Sequence, residues 1–409
     1  MCMKNNAIWW VIGIIIVIGL GYLVFNQPNK QGTTSPQPVA NEPAAPAPAP
    51  VADNTIMIGW MGPLTGDAAS IGVPIQKASQ LAVDEINAAG GIGGKQIKLV
   101  SEDSKCDGKE GSTAGQKLVS VNHAKFVVGG VCSGETLGAA PIFNENKVID
   151  ISPSASSPDI STKGGAYVFR TYPSDAMAGA VAAGYAMQSL KAKTAAIISE
   201  NTDYAQGLHK VFKANFEAAG GKILVDEVYD TGTTNFRTQA LKFKNAKVDV
   251  IYIVPQSPPP GVAIVKSLKD QKIASKIISS EVLMSDDIGK QNASTVEGIT
   301  GTIAYMDDKD PVATKFMSAY KAKYHEELAW PIFQAGAYTD VYLIKDMIEK
   351  NGMDTEKIQA ALTNLTGWSG GAMNNVNLDE NGDIKWSDFS VKQFKAGKLE
   401  SIGVFKFKP

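Results

Sequence analysis

Histidine and cysteine are scarce in this chain, with three of each among 409 residues. That scarcity argues against a zinc cluster of Cys and His ligands and against a multi-histidine metal centre, so no metal or cofactor is expected. Charge of one sign is also lacking. Lys plus Arg number 39 and Asp plus Glu 41, for a net charge of −2. A protein that grips DNA or RNA normally carries a basic surplus, and no nucleic-acid partner is expected. Signatures of catalysis are missing as well. There is no G-x-S-x-G elbow, and His123, His209 and His325 fall in separate helical segments with no triad pattern around them. The run Gly90-Gly91-Ile92-Gly93-Gly94-Lys95 follows a helix and precedes a strand, the reverse of what a phosphate loop needs. Asp379-Glu380-Asn381-Gly382-Asp383 has its glycine too early for a calcium loop and reads as a hairpin turn. The chain is not expected to be an enzyme.

What is present begins with an apolar run. Ala7 to Phe25 carries no charge over 19 residues. At about 1.5 Å per helical residue it reaches about 28 Å, enough to cross a bilayer core. Lys4 precedes it, and Trp9, Trp10 and Tyr22 stand near its ends as interfacial aromatics do. Cys2 lies before the run and is not placed as a lipobox cysteine. The following Asn26-Gln27-Pro28-Asn29-Lys30 offers no small-residue cleavage site, which favours an uncleaved anchor over 1–25 rather than a cleaved signal. Either reading exports the remainder. Residues 26–53 hold seven prolines, alternating with alanine in Pro43 to Pro50, and read as a semi-rigid linker.

The remaining body alternates strand and helix. Thr55–Trp60 reads as a buried strand and Pro74–Ala89 as a helix with Ile75, Ala78, Ala82 and Ile86 on one face. The rhythm continues to about 171, restarts at Ala176–Leu190 and runs to 303. Such alternation predicts an α/β fold of two doubly wound parallel-sheet lobes. After 304 come helices at Pro311–Tyr324, Ile332–Lys350 and Thr355–Thr363, then short strands around an Asn381-Gly382 turn.

Open α/β sheets take ligands beyond the carboxyl ends of their strands, so the residues there matter most. Cys106 and Cys132 each follow a strand, and in an exported body a disulfide is the leading reading, with two free thiols as the alternative. Ser133 opens a helix. It reads as a helix cap or as an anion site built from its hydroxyl and the free helix N–H groups. Ser152-Pro153-Ser154-Ala155-Ser156-Ser157-Pro158 ends the next strand, as a turn or as a second part of that site. In the second lobe Glu281 ends a strand, where it is either a surface carboxylate or a partner for a cation.

Several motifs resemble the type I periplasmic binding proteins of the leucine/isoleucine/valine class. They are Trp60-Met61-Gly62-Pro63-Leu64-Thr65-Gly66, Ala82-Val83-Asp84-Glu85-Ile86-Asn87-Ala88-Ala89-Gly90-Gly91-Ile92, Val131-Cys132-Ser133, Phe169-Arg170-Thr171, Asp203-Tyr204-Ala205-Gln206-Gly207 and Asn381-Gly382-Asp383. The resemblance spans nearly all of 54–409. It implies lobes of 54–171 plus 305–388 and 172–304 plus 389–409, joined by a three-strand hinge. It implies a Cys106–Cys132 pair, carboxylate-binding hydroxyls on Ser133 and Ser156 with the backbone of Ser154, and an ammonium-binding acid on Glu281. It places Tyr204 and Phe333 against the ligand and Trp60 in the first loop beside the site. Two positions depart from the pattern: Ile71 and Gln256 stand where branched-chain binders place aromatics, Gln256 within Gln256-Ser257-Pro258-Pro259-Pro260. The function implied is capture of an amino acid, branched-chain or similar, by a monomer tethered to the membrane outside the cytoplasm, for delivery to the membrane subunits of an ABC importer. Rival readings are a sensor ectodomain and a receptor for an amide or urea-like solute.

Overall fold

Residues 54–386 and 388–406 are described by a computed structural model. The apolar run and the linker lie outside the described residues. Among the described residues no helix is long and apolar enough to cross a membrane.

The first sheet is built from β1 (Thr55–Gly62), β2 (Gln96–Asp103), β3 (Phe126–Gly129), β4 (Ile149–Ser152) and β5 (Val168–Arg170). Its order is β2-β1-β3-β4-β5, with every pair parallel. β3 and β4 are buried throughout, as strands covered by helices on both faces must be. Because all five run the same way, Gly62, Asp103, Gly129, Ser152 and Arg170 end at one edge.

The second sheet comprises β6 (Thr194–Glu200), β7 (Lys222–Tyr229), β8 (Val250–Val254), β9 (Lys276–Ser279) and β10 (Thr300–Ala304), in the order β10-β9-β8-β6-β7. A small pair, β11 (Trp368–Gly370) and β12 (Met373–Val376), stands apart. The second sheet is then extended by β13 (Asp388–Lys395) and β14 (Lys398–Lys406), which add antiparallel to β10 and to each other. This lobe is therefore mixed, not wholly parallel as its sequence suggests. The turn of that hairpin is Ala396-Gly397, both at positive φ (49° and 75°), the conformation a tight hairpin demands. Asn381-Gly382, expected to head the hairpin, instead heads a single bridge between Leu378 and Ile384. Its tertiary task is different: Gly382 C=O accepts from the Arg170 N–H at 3.0 Å, closing the turn onto the end of β5. The chain passes between the two sheets three times, after β5, after β10 and before β13.

The first helix runs from Ala69 to Ala88 and carries Pro74 inside it, one turn more than the proline suggests. Proline lacks the N–H that would bond the carbonyl four residues back, which is Ser70. That carbonyl accepts instead from the Trp330 indole N–H at 2.9 Å. Trp330 is the residue before the helix Pro331–Asn351, which packs along Ala69–Ala88 and brings Phe333 to the cleft.

Candidate functional site

One wall of the cleft is the carboxyl edge of the first sheet. Beyond β3 the chain turns at Cys132 into the helix Ser133–Glu145. Cys132 is bonded to Cys106, with Cα atoms 5.3 Å apart. Its N–H donates to Glu135 Oε1 at 2.8 Å, and Ser104 donates to the other Glu135 oxygen. Burial pushes the Glu135 carboxyl up to about 7 against these bonds. The Ser133 hydroxyl accepts from the N–H groups of Ser156 at 3.2 Å and Ser157 at 3.0 Å. A hydroxyl has two acceptor positions and one proton, so the proton is what Ser133 has left to offer.

The serine turn after β4 is held from several sides. Ser152 Oγ donates to Gly130 C=O at 2.7 Å and accepts from Ala155 N–H at 2.9 Å. Ser154 Oγ donates to Val131 C=O at 2.8 Å. Arg170, fully buried, makes a two-pronged pair with Asp383 at 2.6 and 2.8 Å and donates to Ser157 C=O at 3.0 Å. Planar, charge-assisted pairs of this kind fix geometry as well as contribute energy. The result is a rigid frame of donors.

The facing wall belongs to the second sheet. β9 ends at Ser279, and Glu281 begins a single 3₁₀ turn, Glu281–Leu283. Glu281 is only 2% exposed, and Oε2 has no hydrogen-bond partner among the described residues. Burial raises its carboxyl to about 7; its own backbone N–H and the nearby Tyr204 hydroxyl pull the other way. Asp175, fully buried at the start of the helix Asp175–Gly184, is also raised, first by burial and then by the Glu281 charge. One Asp175 oxygen accepts from Ser156 Oγ at 2.9 Å, while Oδ1 has no partner among the described residues. Tyr204, set in the first turn of Asp203–Ala218, and Tyr252 on β8 are buried, and both hydroxyls are likewise unpartnered.

The two walls meet. Ile71, Val131, Ser133, Ser154, Tyr204, Gln256, Glu281, Val282 and Phe333 line one central cavity of about 30 Å³. The closeness of the walls shows at two glycines: a Cβ at Gly207 would lie 2.9 Å from Pro158, and one at Gly134 would lie 3.1 Å from Asp203. Six of the eight expected residues thus converge. Ser156 stands just behind the cavity with its hydroxyl committed to Asp175. Trp60 corrects the place in the first loop that the resemblance implies: the strand read over Thr55–Trp60 runs on to Gly62, and Trp60 is a fully buried strand residue. Its ring packs under Gly62, beside Val131, one layer behind the cavity. Val131, Val282 and Asp175 escape sequence reasoning. The first two read as ordinary core valines. Asp175 reads as a helix-start acid, and only its burial sets it apart.

A family model described as periplasmic binding protein matches residues 55–398. The chain is 32% identical over 345 residues to the leucine-, isoleucine-, valine-, threonine- and alanine-binding protein of Pseudomonas aeruginosa, covering 84% of this chain and 91% of that protein. It is 32% identical over 353 residues to a Leu/Ile/Val-binding protein of Rhizobium johnstonii, covering 86% and 95%. Among solved structures, LivJ of Streptococcus pneumoniae in complex with isoleucine superposes with a TM-score of 0.78 at 29% identity, covering 87% of this chain and all of that one. The leucine binding protein LivK of Thermotoga maritima gives a TM-score of 0.79 at 26% identity, covering 86% and 99%.

Proposed function

Because this chain belongs to the type I periplasmic binding proteins of the branched-chain amino acid class, we propose that it captures an α-amino acid, branched-chain or similar, and delivers it to an ABC importer. The observation that carries this reading is the pairing, across one cavity, of a hydroxyl with a free proton on Ser133 and a buried carboxyl on Glu281 whose Oε2 has no partner among the described residues. A zwitterion needs a donor at its carboxylate and an acid at its ammonium, and a buried charge without such a partner costs several kcal/mol. Ser133, the Ser154 backbone and the helix start serve the anionic end, with Ser156 behind them. Glu281 serves the ammonium, with the Asp175 carboxyl, held towards its neutral form, beside it. Phe333, Tyr204 and Val282 flank the body of the ligand. A space of about 30 Å³ admits a water or two, so loading requires the walls to part. The lobes 54–171 plus 305–388 and 172–304 plus 389–409 would swing on the three crossing segments, closing when a ligand bridges both walls.

The protein works outside the cytoplasm, as its family does. Ala7–Phe25 is the anchor in this reading, left in place at maturity, and the protein acts as a monomer without enzymatic activity. N-terminal sequencing of the mature protein tests the anchor; a start between Asn26 and Asp53 rejects it. Calorimetric titration of the full chain with amino acids, amides and urea tests the ligand class. Saturable heat with amino acids is expected. Heat with amides alone would reject the zwitterion and leave a neutral solute.

A further inference from the structure

Beside the central cavity lies a second, larger one of about 470 Å³, opening along the cleft between Lys105–Gly108 on one side and Thr231–Thr234 on the other. Of the residues lining the two, Gln256 alone lines both. Its backbone is held: the N–H donates to Glu200 Oε2 at 2.9 Å, and the same oxygen accepts from Tyr229. The helix Pro258–Asp270 starts two residues later with three prolines, which stiffen the approach. The side-chain amide, by contrast, makes no hydrogen bond among the described residues. An amide that is half-buried, fixed at its root and unengaged at its tip keeps both its donor and its acceptor capacity.

We propose that Gln256 selects the side chain of the ligand, favouring a polar, uncharged chain of glutamine length over an aliphatic chain of leucine size. The inference rests on the amino acid reading above and narrows it, from branched-chain or similar to a chain of similar length that is polar. With the α-carboxylate at Ser133 and the ammonium at Glu281, Gln256 is the residue that the central cavity shares with the larger one beside it. A ligand side chain that extends towards Gln256 meets its amide, and beyond it a lining rich in threonine and carboxylates. An apolar chain there leaves the amide unpaired, and sites built to hydrogen-bond discriminate strongly against analogues that cannot. An anionic chain is repelled: Asp67, Asp107, Glu200 and Asp203 face this space with Lys105 as the lone base, and Lys105 lies 3.7 Å from Glu110. A cation finds these acids already engaged in part, Asp107 capping the helix Gly108–Ser120 and Glu200 accepting from Tyr229 and Gln256.

The test is calorimetric titration of the full chain and of Gln256→Leu with L-glutamine, L-leucine, L-glutamate and L-ornithine. The wild type is expected to bind glutamine at least about tenfold tighter than leucine, with glutamate weakest. Gln256→Leu should reverse the order of glutamine and leucine while melting within a degree or two of the wild type. Gln256→Asn, a milder change, should keep the polar preference. Leucine or ornithine binding tightest to the wild type overturns the proposal, as does an unchanged glutamine-to-leucine ratio in Gln256→Leu. Silence towards all four overturns the amino acid reading itself and the selectivity that depends on it.

Discussion

The two walls of the cleft are built on opposite plans. At the rim of the first-sheet wall the serine hydroxyls and the guanidinium are paired: Ser133 with the N–H groups of Ser156 and Ser157, Ser152 with Gly130 and Ala155, Ser154 with Val131, and Arg170 across Asp383 and Ser157, although Trp60 Nε1 and Asp150 deeper in the sheet lack partners among the described residues. In the second-sheet wall, Tyr204, Tyr252, Ser279, Ser280 and Glu281 each keep a buried oxygen without a partner among the described residues, as does Asp175 nearby. A paired wall is preorganised and binds without rearranging. An unpaired wall is held at a cost to stability, and a cation relieves that cost. The anionic end of the ligand thus meets a finished socket, and the ammonium end meets a site that is improved by being filled.

The largest expected effect comes from removing the acid of the unpaired wall. Glu281→Ala should weaken amino acid binding by about 3–5 kcal/mol, or roughly 150- to 5,000-fold, because the ammonium is then buried without its counter-charge. Titration of wild type and variant with the tightest ligand checks it. Ser133→Ala, which removes one donor but releases the N–H groups of Ser156 and Ser157 that it accepts from, should cost less. Binding by Glu281→Ala within threefold of wild type would erase the distinction between the walls.

Which residues stand on the two walls was largely legible in the sequence, because position beyond a parallel strand is a local property. Ser133 and Glu281 follow apolar runs that read as strands, and the helix Pro311–Tyr324 begins and ends where its proline start and apolar face place it. What escaped depends on partners distant in the chain. β1 runs past Trp60 to Gly62 because β2 and β3 pair alongside Met61 and β2 alongside Gly62. Pro74 sits inside a helix because Trp330, far along the sequence, supplies the bond it forfeits. Asn381-Gly382 has the chemistry of a hairpin turn, but its neighbour Asp383 is recruited by Arg170. Which oxygens lack partners is not encoded locally at all: Tyr204 and Glu281 are common residue types until burial removes water from both.

Breaking the bridge that ties down the paired wall ranks next. The Cys106–Cys132 bond closes a 26-residue separation, worth about 3–4 kcal/mol by chain-entropy arithmetic. Cys106→Ser with Cys132→Ser should lower stability to denaturant by about that much and weaken ligand binding too, since Ser133 adjoins Cys132. Equal affinity in bridged and unbridged proteins would mean that Arg170 and the serine network suffice to hold the wall.

The unpaired wall should show itself in pH dependence. The Glu281 carboxyl is raised from 4.5 to about 7 in the fold, so folding favours its protonated form. That contribution is present in full below the unfolded value and is lost as pH rises through about 7. Glu281→Gln is neutral throughout. Without ligand it should therefore gain thermal stability relative to wild type between pH 5 and pH 8, while binding amino acids poorly. Glu135, raised in the same direction in the other wall, is present in both proteins and cancels in the difference. A melting-temperature difference flat across that range would place Glu281 in a wetter, better-paired setting than the structure shows.

The smallest change, Tyr204→Phe, separates two meanings of an unpartnered hydroxyl. The ring lies in the cavity wall and should keep its contact with the ligand, whereas truncation to Ala would forfeit about 1–3 kcal/mol. Deleting only the oxygen removes a buried polar atom that has no hydrogen-bond partner among the described residues, so the ligand-free fold should be as stable as wild type or slightly more so. The oxygen nevertheless pulls the Glu281 carboxyl downward, which favours the charged form that an ammonium needs. In Tyr204→Phe that pull is gone and Glu281 protonates at higher pH. Affinity at pH 8 should stay within about threefold of wild type, the low end of a hydrogen bond's net worth. At pH 6 the gap should widen, because more of the variant's Glu281 is neutral. Titrations of both proteins at the two pH values decide it. A deficit that does not change with pH would mean that the hydroxyl bonds the ligand directly instead of tuning the acid beside it.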